Sequence, residues 1–156
     1  MLNFSFALWA FVAGALIPVM GILNAGLARS SGSPVFATVV LFAVGFTAAL
    51  LLALATSTRI PDLALLARAP LAQYTGGLIV SFYVISITFL APRFGIGNAI
   101  LFAVSAQLVT AAAIDHFAFA GAALRPLTPI RAIGLLVVVA GVAITQLGDR
   151  WLAAAR

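Results

Sequence analysis

An all-α integral membrane protein with five transmembrane helices is the fold class the sequence predicts, on three observations. The 156 residues are 65% hydrophobic and only 7% charged, with a mean hydropathy of +1.26, and a soluble surface needs more charge than that. The charges fall at positions 29, 59, 62, 68, 93, 115, 125, 131, 149, 150 and 156, leaving uncharged runs at 1–28, 30–58, 69–92, 94–114 and 132–148. A spanning helix needs about 20 mainly apolar residues, with about 17 the lower limit, so five runs give five spans. Finally, the runs are continuously apolar. A membrane barrel would alternate apolar and polar residues over segments of roughly 10, whereas a helix satisfies every backbone group within its own segment.

The expected spans are 4–28, 35–57, 72–92, 95–117 and 129–148, which leave room for one five-helix transmembrane domain over residues 1–156. The opening MLNFSF carries no side-chain positive charge, and the apolar stretch outruns a signal-peptide core, so the first helix reads as retained. SSGSP after Arg29 reads as a tight turn, with Ser31 or Ser33 capping the second helix and Pro34 near its start. In TSTRIPDLALLARAP, the IPDLALLARA portion suits a short helix on the membrane surface. APRFG turns the third span into the fourth, and Thr128 is placed to cap the fifth before Pro129. Trp9, Tyr74 and Trp151 stand near span ends, where aromatic belts form.

Charge gives no preferred orientation. Arg59, Arg68, Arg125 and Arg131 fall on one side of the bilayer and Arg29, Arg93, Arg150 and Arg156 on the other, 4 against 4. The loops are short enough for the positive-inside rule to act, so it has no bias to act on. Either another feature sets direction, or copies insert both ways and pair antiparallel. An odd number of spans suits the second reading, because inverted repeats build transporter sites at their interface near the midplane.

The excluded classes follow from the same inventory. Zero cysteines removes disulfides, thiolate metal sites and thiol chemistry. The net charge of +5 does not point to nucleic acid, since the arginines sit singly at span ends, where lipid phosphates are available. No metal cluster or nucleophile–base pair suggests an enzyme, no ring of charges suggests a channel, and neither a metal nor a cofactor is expected.

Candidate pathway residues come from the polar and helix-breaking positions. On the first span Ile17, Met20, Gly21, Asn24 and Ala28 share a face, and Pro18 frees a backbone carbonyl near mid-span. On the third, Gly76, Tyr83, Ser86 and Leu90 form a stripe, with Tyr83 close to mid-span. On the fourth, Gln107 and Thr110 lie on one face with Gln107 near the midplane, while Asn98 and Ser105 lie on the other side and suit contacts between helices. Pro18, Met20, Gly21, Asn24, Tyr83, Gln107 and Thr110 are therefore the expected solute pathway. Asp115 and His116 are the ionisable pair available for proton coupling, though their position near a span end and their divergent directions suit a structural or topological role better. No acid lies within the first three spans. That argues against a central carboxylate exchanging a proton for a cation. Gly134, Gly141 and Gly148 recur at sevens on the fifth span with Thr145 among them; with Gly76 they suit close packing between helices or across a dimer.

PVMGILNAGLARSSGSP with VLFAVGF, YTGGLIVSFYV, LAPRFG, AQLVTAAAIDHF and IGLLVVVAGV together resemble the drug/metabolite transporter superfamily, most closely its half-length, five-helix bacterial inner-membrane branch. The resemblance covers nearly the whole chain. It implies a multi-pass protein of the bacterial inner membrane, half of an inverted-repeat ten-helix transporter, pairing antiparallel with itself or with a sister protein. It matches Pro18, Asn24, Gly32 and Pro34 to a first block, Gly76 and Gly77 to a second, and Gln107, Asp115 and His116 to a third. Met20 stands where the pattern usually carries glutamine, and Ala106 where glycine is common, which makes the site more apolar. The expected function is export or import of a small organic or amphiphilic solute by alternating access, with the lipid bilayer and the solute as further partners. The alternative is a membrane scaffold or accessory subunit that transports nothing.

Overall fold

The computed structural model describes residues 4–56, 58–59, 64 and 67–154, with side chains described as far as Gly148. The expected surface helix over 60–69 lies largely outside the described residues. So do Ser57, Arg156 and the side chains of Asp149, Arg150 and Trp151. Five α-helices follow in order: α1 (Phe4–Ser31), α2 (Pro34–Ala55), α3 (Gly76–Phe94), α4 (Ile96–Phe117) and α5 (Pro129–Ala154). Each is long and apolar enough to cross a membrane, and no strand occurs among the described residues. A 3₁₀ turn, Leu71–Thr75, leads into α3, and another, Phe119–Gly121, follows α4.

The expected boundaries hold at both capped starts and shift elsewhere: α2 stops at Ala55 rather than 57, and α3 begins at Gly76, after the 3₁₀ turn, rather than at 72. Ser33 caps α2 as expected: its backbone is extended and its hydroxyl accepts from the Phe36 N–H at 3.2 Å, with Pro34 at the first helical position. Thr128 does the same for α5, accepting from the Arg131 N–H at 3.3 Å. α1 runs past Ala28 to Ser31, because a charge at the bilayer edge does not end a helix. Gly32 does, with φ at +72°. A Cβ in that left-handed region costs about 1–2 kcal/mol, so Gly32→Ala should lower the stability of the detergent-purified protein by about that amount, measured by reversible unfolding. α3 continues through Pro92 to Phe94, since proline removes one bond within the last turn rather than the turn itself. α5 continues past Gly148 to Ala154.

The chain divides into two compact units, Met1–Ile96 and Gly97–Arg156. In the first, α1 packs against both α2 and α3, and α2 also touches α3. The two-residue link between α1 and α2 makes them antiparallel neighbours. The buried residues are mostly small or polar (Gly21, Asn24, Ala25 and Ala28 of α1, Ala37 and Thr38 of α2, Val84, Ile87 and Thr88 of α3). Large apolar side chains such as Trp9, Phe11, Phe46 and Phe82 point outward. This inversion of a soluble core is what lipid selects. Tails are as apolar as leucine, so helices associate by close approach and polar links rather than by hiding greasy surface. Gly21 shows the closeness: a Cβ there would stand 2.9 Å from Ile96 Cδ1 and 3.5 Å from Ile87 Cγ2.

In the second unit, α4 and α5 run antiparallel, held by side-chain links at both ends. Asn98 near the start of α4 meets Gln146 near the end of α5, and Asp115 near the end of α4 meets Arg131 at the start of α5. At about 1.5 Å per residue the two links stand roughly 25 Å apart along α4, close to the ~30 Å thickness of a bilayer core.

Candidate functional site

The α1–α3 unit brings Pro18, Met20, Gly21, Asn24 and Tyr83 onto or beside its packed faces. Gly21 and Asn24 are buried, and Pro18, Met20 and Tyr83 half-buried. Pro18 lacks the N–H that would otherwise bond the Gly14 carbonyl. Asn24 is only 4% exposed, and its Nδ2 donates to Thr88 Oγ1 at 2.6 Å. Thr88 is itself 2% exposed. The amide expected on the solute path is thus bonded between α1 and α3. Thr88 is a hydrogen-bond partner that sequence reasoning missed: it sits one turn beyond Val84 on the packing face of α3, adjacent to the Tyr83–Ser86 stripe that the polar pattern emphasised.

The α4–α5 unit separates its polar residues into two kinds. At the ends they are paired. Gln146 Nε2 donates to Asn98 Oδ1 at 2.9 Å, so Asn98 does hold helices together, through a partner the sequence did not reveal. Asp115 Oδ2 accepts from Arg131 Nη2 at 2.9 Å, while the Asp115 carbonyl accepts from the Arg125 N–H at 2.8 Å. Arg131 Nη1 adds a bond to the Arg125 carbonyl at 3.3 Å. His116 accepts the Leu127 N–H at Nδ1, 3.0 Å away, and so carries its proton on Nε2. The connection between α4 and α5 is therefore fastened back onto the end of α4, at the ionisable pair for which the sequence favoured a structural role over proton coupling. An ion pair this exposed, 41% and 32% for its two side chains, contributes at most about 1 kcal/mol. Its work is to fix the loop.

Mid-span the pattern is different. Gln107 lies midway between the two end links, and Thr110 is one turn further along the same face. Both are exposed, and neither side chain hydrogen-bonds to any of the described residues. The Tyr83 hydroxyl also makes no bond among the described residues. Other small hydroxyls bond back to their own helix: Ser81 to the Gly77 carbonyl, Ser105 to Leu101, Thr145 to Val142. A glutamine side chain on a helix has no such retreat, and an unpaired amide in hydrocarbon costs several kcal/mol.

The glycines expected at helix contacts show open space. Among the described residues, no atom stands within 4 Å of a Cβ built at Gly76, Gly134, Gly141 or Gly148.

A family model described as "Putative inner membrane exporter, YdcZ" matches residues 5–144. The chain belongs to that family. The family's description and the five membrane-length helices make this a multi-pass inner-membrane transport protein of the drug/metabolite transporter type. Neither a curated protein nor a solved structure matches the chain. The match embraces both end links of the α4–α5 unit except Gln146, and every pathway residue from Pro18 to Thr110.

Proposed function

We propose that the protein exports a small organic or amphiphilic solute by alternating access, as a pair of five-helix units inserted in opposite directions, without covalent chemistry. The observation that carries this reading is the Gln107–Thr110 edge: exposed, mid-span, and unbonded among the described residues, whereas the described helical amides Asn24, Asn98 and Gln146 are paired. A polar edge at that depth calls for a polar neighbour, and a solute-filled or watered chamber between two copies supplies one. The balance of arginines supports insertion both ways. Proton coupling through Asp115 and His116 would have to release the Arg131 and Leu127 bonds, so we assign those two residues to loop anchoring before coupling.

The competing reading, a scaffold without transport, draws on the pairing of Asn24, Asn98 and Asp115. Topology decides between a paired inverted carrier and any one-way arrangement. Reporters active only in the cytoplasm or only outside it, fused after residue 156, should both give signal, at comparable levels. Signal from one reporter alone would defeat the inverted pair.

A further inference from the structure

At one end of the α1–α3 unit lies a cavity of about 390 Å³, whose lining includes Ala28, Arg29, Pro34, Thr88, Pro92 and Arg93. Its walls are largely apolar, and the hydroxyl of Thr88, one of its lining residues, is already bonded to Asn24. Two exposed arginines line it, one from the last turn of α1 and one from the last turn of α3. Arg93 is held in place: Nη1 donates to the Phe89 carbonyl at 2.8 Å, and the guanidinium lies 3.7 Å from the centre of the Phe89 ring. That contact uses one of its five N–H donors. Arg29 has no hydrogen bond or ion pair among the described residues. Residues 1–96 contain a single acid, Asp62, which lies outside the described residues. Arg131 in the first turn of α5 shows the contrast, since Asp115 answers its charge.

Two like charges beside apolar walls, both exposed, attract an anion. Their place in the last turns of membrane-length helices puts them at headgroup depth, where phosphate is the abundant anion. Guanidinium forks match phosphate oxygens with paired bonds. We propose that this cavity binds a phosphate ester carrying an apolar chain, with the phosphate bridged between Arg29 and Arg93 and the chain along the apolar wall. The proposal does not depend on transport: it concerns binding, and it stands or falls whichever way the topology experiment ends. The source of the ester is either a membrane phospholipid or a free alkyl phosphate.

The test uses the full chain purified in a neutral maltoside detergent, with binding followed by native mass spectrometry and by thermal shift. Phosphatidylglycerol and dodecyl phosphate should each bind, inorganic phosphate should bind far more weakly, and dodecyltrimethylammonium should not compete. Arg29→Gln with Arg93→Gln should weaken dodecyl phosphate binding by about tenfold or more, the effect of losing one or two charge-assisted bonds. Arg59→Gln with Arg68→Gln, which makes the same change in net charge, should leave it unaltered. Phosphatidylglycerol retained through purification by the unsubstituted protein and lost from the double variant identifies a lipid source; dodecyl phosphate binding without retained lipid identifies a solute. Equal binding by the unsubstituted protein and the Arg29/Arg93 variant overturns the proposal. Should that variant not fold, competition on the unsubstituted protein decides: displacement of phosphatidylglycerol by dodecyltrimethylammonium as readily as by dodecyl phosphate overturns it.

Discussion

Proteoliposomes carrying Gln107→Leu together with Tyr83→Phe are expected to lose solute flux by at least about tenfold, while the amount of inserted protein stays unchanged. Each substitution keeps side-chain bulk and deletes polar groups that make no bond to the described residues. Removing them leaves no described donor or acceptor orphaned, so the fold loses nothing that is visible in one chain. On the proposed function, the cost falls on the solute that those groups meet in the working assembly. If they bind a solute, losing one or two neutral hydrogen bonds, each worth about 0.5–1.5 kcal/mol, accumulates to roughly a tenfold effect. Ser105→Ala is the matched control, because its hydroxyl bonds the Leu101 carbonyl of its own helix and should not matter to flux. Flux of several amphiphilic dyes across the vesicles measures both. Unaltered flux in the double variant would remove Gln107 and Tyr83 from the pathway.

What could be read in advance, and what could not, follows from which interactions are local. Five helices were legible because hydrocarbon thickness fixes a length and charges are expelled from it. The capped starts at Ser33–Pro34 and Thr128–Pro129 were legible because a cap is satisfied within three residues of itself. The left-handed backbone at Ala118 and Ala120 gave no warning, for alanine carries none of the side-chain signals that mark a turn. Partners on another helix were hidden for a further reason. Periodicity tells which residues share a face, yet not how one helix is rotated against the next. Asn24 could be seen to need a partner; that Thr88 rather than Tyr83 or Ser86 would supply it depends on the rotation of α3, which Val84, Ile87 and Thr88 settle by packing inward. Likewise Asn98 was visible as a contact between helices, while Gln146 was not visible as the residue it meets. The Gln107–Thr110 edge is the reverse case. Its polarity and depth were evident, and within the α4–α5 unit neither side chain hydrogen-bonds to a described residue.

The Asn24–Thr88 bond offers the sharpest test of the α1–α3 packing. Thr88→Val keeps the shape and removes the acceptor, leaving the Asn24 amide 4% exposed without its 2.6 Å partner. An orphaned buried amide costs about 1–3 kcal/mol, which makes this the largest single-site loss of stability we expect from a near-isosteric change in this unit. Asn24→Leu removes the donor instead and should cost less, because a threonine hydroxyl can turn to the carbonyl one turn behind it on its own helix, as Thr38 and Thr47 do. Making both changes should recover much of what Thr88→Val loses, since two apolar groups of similar shape leave nothing unsatisfied and hydrogen bonds between membrane helices are often worth only about 0.6 kcal/mol. A double-mutant cycle on reversible unfolding in detergent measures the difference. A coupling near zero, with Thr88→Val as stable as the unsubstituted protein, would mean that α1 and α3 are held by Gly21, Ala25 and Ala28 alone. The polar pair would then be free to serve the solute instead.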